Sequence, residues 1–249
     1  MRNIKVSLEY DGSDFFGFQK QTVHPTVQGV LEKALSRLLN RKTKICAASG
    51  RTDAGVHAEE QIVNFMTPHA MPLSQMRKGL NALLPKSVVV KEIREVGMNF
   101  HARYSAKSKI YEYRIWNNLV RSPLQSARVF HITEKLNLRR MRRAMICLKG
   151  RHDFRSFCSS DPSGRIKPKN TVRTIRHLTL KKEGSLIRIR IEANGFLYHM
   201  VRNIMGTLIQ VGKGKLEVSA VKKILQAKDR QRAGPTAPAN GLTLVKVYY

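Results

Sequence analysis

The chain has 249 residues, 46 of them lysine or arginine against 17 aspartate or glutamate, for a formal net charge of +29. Apolar residues make up 42% of it, which excludes a disordered basic tail and is enough for one large or two modest domains with real cores. A charge excess of this size points to a polyanionic partner, nucleic acid before an acidic membrane surface.

Residues 2–10 alternate apolar and polar as a strand does and contain no signal-peptide core. Thr26 stands where it can cap a helix whose apolar positions Val27, Val30, Leu31, Ala34, Leu35, Leu38 and Leu39 follow helical spacing. Residues 44–49 and 60–66 read as strands on either side of a glycine-containing loop. A helix over 73–84 stops before Pro85, and residues 87–94 form a valine-rich strand. Strand, helix, strand, strand, helix, strand is the order of a split βαβ, ferredoxin-like unit. The pattern then recurs: a strand over 107–116, a helix over 138–148, and a hairpin of 172–180 with 186–191 about Glu183-Gly184. Helices over 199–211 and 218–227 and a closing strand over 242–248 complete it.

The expected fold is therefore α+β, with two ferredoxin-like (RRM-like) halves, residues 1–105 and 106–249. Their antiparallel sheets would form a central basic cleft, with helices on the outer face. Charge is divided unevenly between them. Residues 1–105 hold 15 basic and 9 acidic residues, net +6, and residues 106–249 hold 31 and 8, net +23. The long segment 159–170, with Pro162, Gly164 and Pro168, reads as an insertion that orders on contact with a partner. Three scattered cysteines, Cys46, Cys147 and Cys158, support neither a disulfide framework nor a zinc site. The apolar stretch 204–211 is too short to span a bilayer. The expectation is a soluble, cytoplasmic protein that does not engage a membrane.

Four constellations could carry chemistry. In Ser49-Gly50-Arg51-Thr52-Asp53-Ala54-Gly55-Val56-His57-Ala58, one carboxylate sits between two glycines with Arg51 two residues before it. Asp53 can be an ionised nucleophile on a sharply turning loop, or a turn aspartate bonding its own backbone; spacing alone favours the turn. On 109–115, Tyr111 and Tyr113 share one face of a strand, suited either to stacking on an unpaired base or to ordinary sheet packing. Arg202 is the only charge between Glu192 and Lys213. It either lies on the solvent face of its helix or requires a partner, and Asp53 is an available carboxylate. Arg139, Arg140, Arg142 and Arg143 with Lys149 and Arg151, and the segment carrying Arg165, Lys167 and Lys169, could follow a phosphate backbone. His57 with Glu59 and Glu60 lacks a metal-binding motif. The 206–213 run departs from a phosphate loop, and no dinucleotide fingerprint occurs, so neither metal nor cofactor is expected.

Together these segments resemble the tRNA pseudouridine synthase A (TruA) family, the tRNA pseudouridine synthase I enzymes, over essentially the whole chain. The likeness runs in order through Tyr10-Asp11-Gly12, Gly17-Phe18-Gln19, Gly50 to Ala58, Asn81-Ala82-Leu83-Leu84-Pro85 and Phe100-His101-Ala102-Arg103. It continues through Tyr111-Glu112-Tyr113, Gly150-Arg151-His152-Asp153-Phe154, Gly195-Phe196-Leu197-Tyr198, Met200-Val201-Arg202, Thr236-Ala237-Pro238 and Gly241-Leu242-Thr243-Leu244. The resemblance implies Asp53 as nucleophile, Tyr111 stacking on the uracil and helping to remove its C5 proton, and Arg202 paired with the aspartate. It also implies Arg51 filling the space of the displaced base and Leu244 packing near the uracil. The implied reaction converts uridine to pseudouridine at nucleotides 38, 39 and 40 of the tRNA anticodon stem-loop, by a homodimer that flips the target base. Arg139, Arg143, Arg165 and Lys167 remain the expected contacts to the RNA backbone. A non-catalytic RNA-binding protein would share the charge and the fold but give Asp53 no purpose. A membrane-surface protein would need a broader apolar face than the 139–151 helix has.

Overall fold

The protein is described by a computed structural model, which covers residues 1–160 and 170–249. Two compact units emerge: Met1–Lys107 with Thr243–Tyr249, and Ser108–Leu242. The expected second half ended at residue 249, whereas the last strand groups with the first unit. The reason is pairing. Strand β10 (Leu242–Tyr248) runs parallel to β3 (His57–Thr67), with Thr243 opposite His57 and Leu244 opposite Ala58.

In the first unit, β1 (Arg2–Tyr10) lies between β3 and β4 (Val88–Val96), antiparallel to both. The short β2 (Ala47–Ala48) pairs with β3. The period-two pattern of β1 puts Ile4, Val6 and Leu8 into the core, each fully buried. Helix α1 (Val27–Leu38) begins where the sequence predicts, the Thr26 hydroxyl accepting a hydrogen bond from Gly29 N at 3.2 Å. Its stripe of Val27, Leu31, Ala34 and Leu35 is buried. Glu32 is also buried on this helix and is satisfied by Lys20 Nζ, Gln28 Nε2 and Ile45 N. Helix α2 (Leu73–Leu83) packs on β4 and α1 through Met76 and Leu80.

In the second unit, β5 (Ser108–Asn117), β9 (Leu186–Ala193), β8 (Val172–Glu183) and β7 (Gly150–Asp153) form an antiparallel series, and β6 (Phe130–Ile132) adds to β5 in parallel. Helices α3 (Leu138–Met145), α4 (Met200–Gly212) and α5 (Ala220–Ala227) complete it, α3 against α4. Each unit is α+β with a largely antiparallel sheet, as expected. The expected helix over 138–148 ends at Met145 and tightens into a 3-10 turn over Ile146–Leu148. The expected strand over 44–49 contracts to two residues. Strands β6 and β7 were not anticipated, because three or four residues are too few to register alternation. Among the described residues, no helix is long and apolar enough to cross a membrane.

Alternation along β5 separates two chemistries. Tyr111, Tyr113 and Ile115 lie opposite Ile191, Ile189 and Ile187 and are buried, while Glu112 and Arg114 lie opposite Arg190 and Arg188 on the other face. The Glu112 side chain is fully buried, yet it takes Arg114 Nε and Arg190 Nε, each at 2.6 Å, on its two oxygens. Burial raises its pKa, but the two guanidinium hydrogen bonds and their charges outweigh that effect and hold it below the ordinary carboxylate range. A carboxylate depressed in the folded state stabilises fully above its unfolded pKa of about 4.3 and loses that contribution as pH falls through the lower folded value. Glu112→Gln is therefore expected to cost about 1–3 kcal/mol at pH 7, less than a fully buried pair because both arginines reach solvent. The cost should shrink below about pH 4; urea denaturation across pH measures both.

Candidate active site

The Asp53 loop is built by the end of β1 and the segment that follows it. Tyr10, the last residue of β1, shares a hydrogen bond with the Thr52 hydroxyl at 2.7 Å in a buried setting. Burial pushes the Tyr10 phenol well above its ordinary pKa, against the opposing hydrogen bonds of Thr52 and Gln61, so this hydroxyl stays neutral. The Thr52 carbonyl accepts from Phe18 N at 3.0 Å, and Gly55 N donates to the Phe15 carbonyl at 3.2 Å. Upstream, Gln61 Nε2 donates to the Gly50 carbonyl at 2.8 Å while its Oε1 lies 2.5 Å from Ser49 Oγ. Both flanks of Asp53 are thus tied down through backbone atoms. The aspartate closes a turn of its own, its carbonyl accepting from Val56 N at 3.1 Å.

The approach of the two segments is so close that side chains are excluded. A Cβ on Gly12 would lie 2.1 Å from the Val56 carbonyl oxygen, and one on Gly17 would lie 2.8 Å from that of Thr52. Gly17 also sits at φ +90°, which L side chains rarely adopt. In this frame Thr52 is buried, Asp53 partly exposed, and Arg51 and Ala54 exposed. The turn reading and the nucleophile reading of Asp53 are compatible. Its backbone makes the turn, and the residue is partly exposed on a loop whose backbone is held on both sides, the arrangement a positioned nucleophile or base needs. Leu244 belongs to the same unit: it is fully buried on β10, opposite Ala58, five residues beyond Asp53.

Tyr111 and Arg202 belong to the second unit. Tyr111 is buried, with its ring edge-on to Phe196 at 5.0 Å between centroids. Tyr113 is fully buried and donates its hydroxyl to the Pro238 carbonyl at 2.8 Å. Arg202, partly buried in the first turn of α4, donates Nε to the Ala237 carbonyl at 2.8 Å, and its own carbonyl accepts from Ala237 N at 3.1 Å. Burial pushes the Tyr113 pKa up, opposed in part by the positive charge of Arg202. The strand carrying Tyr111 and the helix carrying Arg202 are therefore fastened to one segment, Ala237-Pro238. Arg202 is not on an open solvent face, and one acceptor of its guanidinium is a backbone carbonyl, which no count of charges would find. His199, at the start of α4, adopts φ +58° and stacks on Tyr198 at 3.8 Å.

Arg139 and Arg143 are exposed on α3, whose inner face is Met141, Ala144 and Met145. Arg142 and Arg143 fall in its last turn, where the helix dipole favours cations. The neighbouring Arg140 turns inward to the Leu216 carbonyl and Glu217. Arg165 and Lys167, with most of the 159–170 segment, lie outside the described residues. Among the described residues, no group of three or more His, Cys, Asp or Glu is placed to hold a metal. Sequence reasoning gave no role to Asn203 or Thr236 and did not single out Arg230; the three are joined by hydrogen bonds beside Arg202. Their polar character gives no signal of burial in so basic a chain.

Residues 6–105 and 144–249 match a family described as tRNA pseudouridine synthase. The chain is 45% identical to the tRNA pseudouridine synthase A of Acetivibrio thermocellus over 249 residues, covering all of both chains. It is 43% identical to that of Clostridium botulinum strain Eklund 17B and 44% identical to that of Thermoanaerobacter sp. strain X514, again over the whole of each.

Gly17→Ala is expected to destabilise the protein by about 1–3 kcal/mol, through its left-handed backbone and its clash with the Thr52 carbonyl. A urea midpoint within error of the native protein's would remove Gly17 as a brace of the loop.

Proposed function

The chain belongs to the tRNA pseudouridine synthase family, and from that premise we propose that it isomerises uridine to pseudouridine in the anticodon stem-loop of tRNA, at nucleotides 38, 39 and 40. The observation that supports this reading most is Asp53, a partly exposed carboxylate on a loop whose backbone is held on both sides. A carboxylate repels phosphate, so a surface that only bound RNA would gain nothing from it.

In this reading the target nucleotide leaves the helical stack, at a cost of a few kcal/mol. Arg51 occupies the space it vacates and Tyr111 stacks on the uracil, which together offset that cost. The ionised Asp53, steadied by Arg202, attacks the bound nucleotide at C1′ or at uracil C6. The N1–C1′ bond breaks, the ring turns, and C5 bonds to C1′. Tyr111 assists departure of the C5 proton while N1 gains one, so the product is an isomer of the substrate. The detached base must be kept from water and in place, and Leu244 supplies apolar wall for that. Several neighbouring uridines can be served because the RNA is read through shape and backbone rather than base edges. Arg139, Arg143, Arg165 and Lys167 contribute phosphate contacts. The protein works as a cytoplasmic homodimer.

The direct test is Asp53→Asn with unmodified tRNA and no added cofactor. Pseudouridine formation is expected to disappear while tRNA affinity stays within about threefold of native, since the substitution is isosteric and removes a negative charge. Residual turnover near the native rate would exclude Asp53 as nucleophile. For the RNA face, Arg139→Ala with Arg143→Ala is expected to raise KM and reduce the slope of log affinity against log salt by about 1.4–1.8, two phosphate contacts' worth. An unchanged slope would remove α3 from the RNA-binding surface.

A further inference from the structure

Arg230 lies 28 residues beyond Arg202, outside every segment singled out from the sequence, yet its guanidinium organises the ground on which Arg202 stands. Its Nη1 donates to the Gly234 carbonyl at 3.0 Å, with the Ala233 carbonyl at 3.4 Å. Its Nη2 donates to Asn203 Oδ1 at 2.9 Å and to Thr236 Oγ1 at 3.1 Å. The Thr236 hydroxyl donates in turn to Asn203 Oδ1 at 2.7 Å. Asn203, fully buried and adjacent to Arg202 on α4, is held from its other side by Nδ2 donating to the Phe157 carbonyl at 2.9 Å. One planar cation thus ties residues 233–236 to the first turn of the helix.

The next residue of that segment is Ala237, whose N–H and carbonyl both engage Arg202. The fit is tight along the same line. A Cβ on Gly206, one turn further along α4, would lie 1.7 Å from the Pro235 carbonyl oxygen, and Gly234 N donates to Thr207 Oγ1 at 2.9 Å. The segment has no helix or strand hydrogen bonding of its own to set the direction of the Ala237 carbonyl. Its conformation comes from these anchors, and Arg230 supplies the largest share of them with a side chain that cannot lose its charge at neutral pH.

We propose that Arg230 is a positioning residue for the isomerisation: it fixes the 233–237 segment so that the Ala237 carbonyl holds the Arg202 guanidinium in its working orientation. The inference rests on the reading in which Arg202 serves the reaction. It adds a residue that touches neither nucleotide nor Asp53 and acts only through Arg202.

The test is a double-mutant cycle of Arg230→Gln and Arg202→Lys, with Thr236→Val as a milder probe of the same clasp, read as kcat and KM for pseudouridine formation on tRNA and as urea midpoint. Lysine keeps a cation at 202 but has no Nε–H for Ala237. Arg230→Gln is expected to lower kcat about tenfold to a hundredfold with KM within about threefold, and Thr236→Val about threefold to tenfold, the scale of a misoriented catalytic partner. In the Arg202→Lys background the same substitutions should change kcat by less than about threefold, because their route is already cut. Equal kcat losses in both backgrounds would make the clasp a structural support only and overturn the proposal. So would a folded Arg230→Gln or Thr236→Val protein with native kcat. Should Arg230→Gln fail to fold, the Thr236→Val arm decides alone by the same criterion. Native kcat for Arg202→Lys by itself would instead sink the reading that Arg202 serves the reaction, and the inference with it.

Discussion

The first unit depends on one close approach, that of the chain after β1 to the backbone around Asp53. Thr52 is its centre: the side chain bonds Tyr10 and the carbonyl bonds Phe18 N. Both partners sit where glycine is the only residue that fits nearby, at 12 and 17. A loop of this composition would otherwise sample many conformations, because each ordered residue costs about 1–2 kcal/mol in backbone entropy. The restraint comes from a handful of backbone hydrogen bonds and one buried phenol.

Much of this was legible in advance, for reasons that differ by element. Strand β1 announces itself because its apolar residues Ile4, Val6, Leu8 and Tyr10 fall at every second position, and α1 because Thr26 caps an unbroken apolar stripe. The Asp53 loop is an ordinary turn by spacing alone, and it is the ordered likeness along the whole chain that marks its aspartate as a nucleophile candidate. What sequence could not show is the identity of partners. A cation in an apolar helix must be satisfied, and from sequence the natural guess for Arg202 was a carboxylate. The Ala237 carbonyl also accepts from its Nε, and every residue carries a carbonyl, so nothing in the residue names points to that acceptor. Arg230 was lost for the related reason that one arginine among 46 basic residues carries no visible mark of its internal hydrogen bonds. The short β6 and β7, and the turn that ends α3, depend on tertiary pairing rather than on local preference.

The charge is also used in two ways that composition does not separate. On β5 and β9, Arg114 and Arg190 are committed to the buried Glu112, and on α4 Arg202 is committed in part to backbone. These cations are engaged within the fold. Arg139 and Arg143, by contrast, present themselves to solvent over an apolar inner face. A net charge of +29 therefore overstates the part available to a polyanion, and the exposed helix contributes more to that part than its length suggests.

The two units hold Asp53, Tyr111 and Arg202 by different means, and the difference fits the chemistry proposed. The backbone on both sides of Asp53 is held by hydrogen bonds from Phe18, Gln61 and Val56. Tyr111 and Arg202 are held through packing and through a segment without regular structure, 233–238, that fastens β5 and α4 alike by Pro238 and Ala237. An isomerisation that detaches a base and rejoins it by another atom asks for a nucleophile that does not move. It also asks for a surround that grips a ring through a rotation, where a rigid aromatic and a directed cation serve better than further charge. The reciprocal bonds between Arg202 and Ala237 fix the direction of that cation from within a single unit.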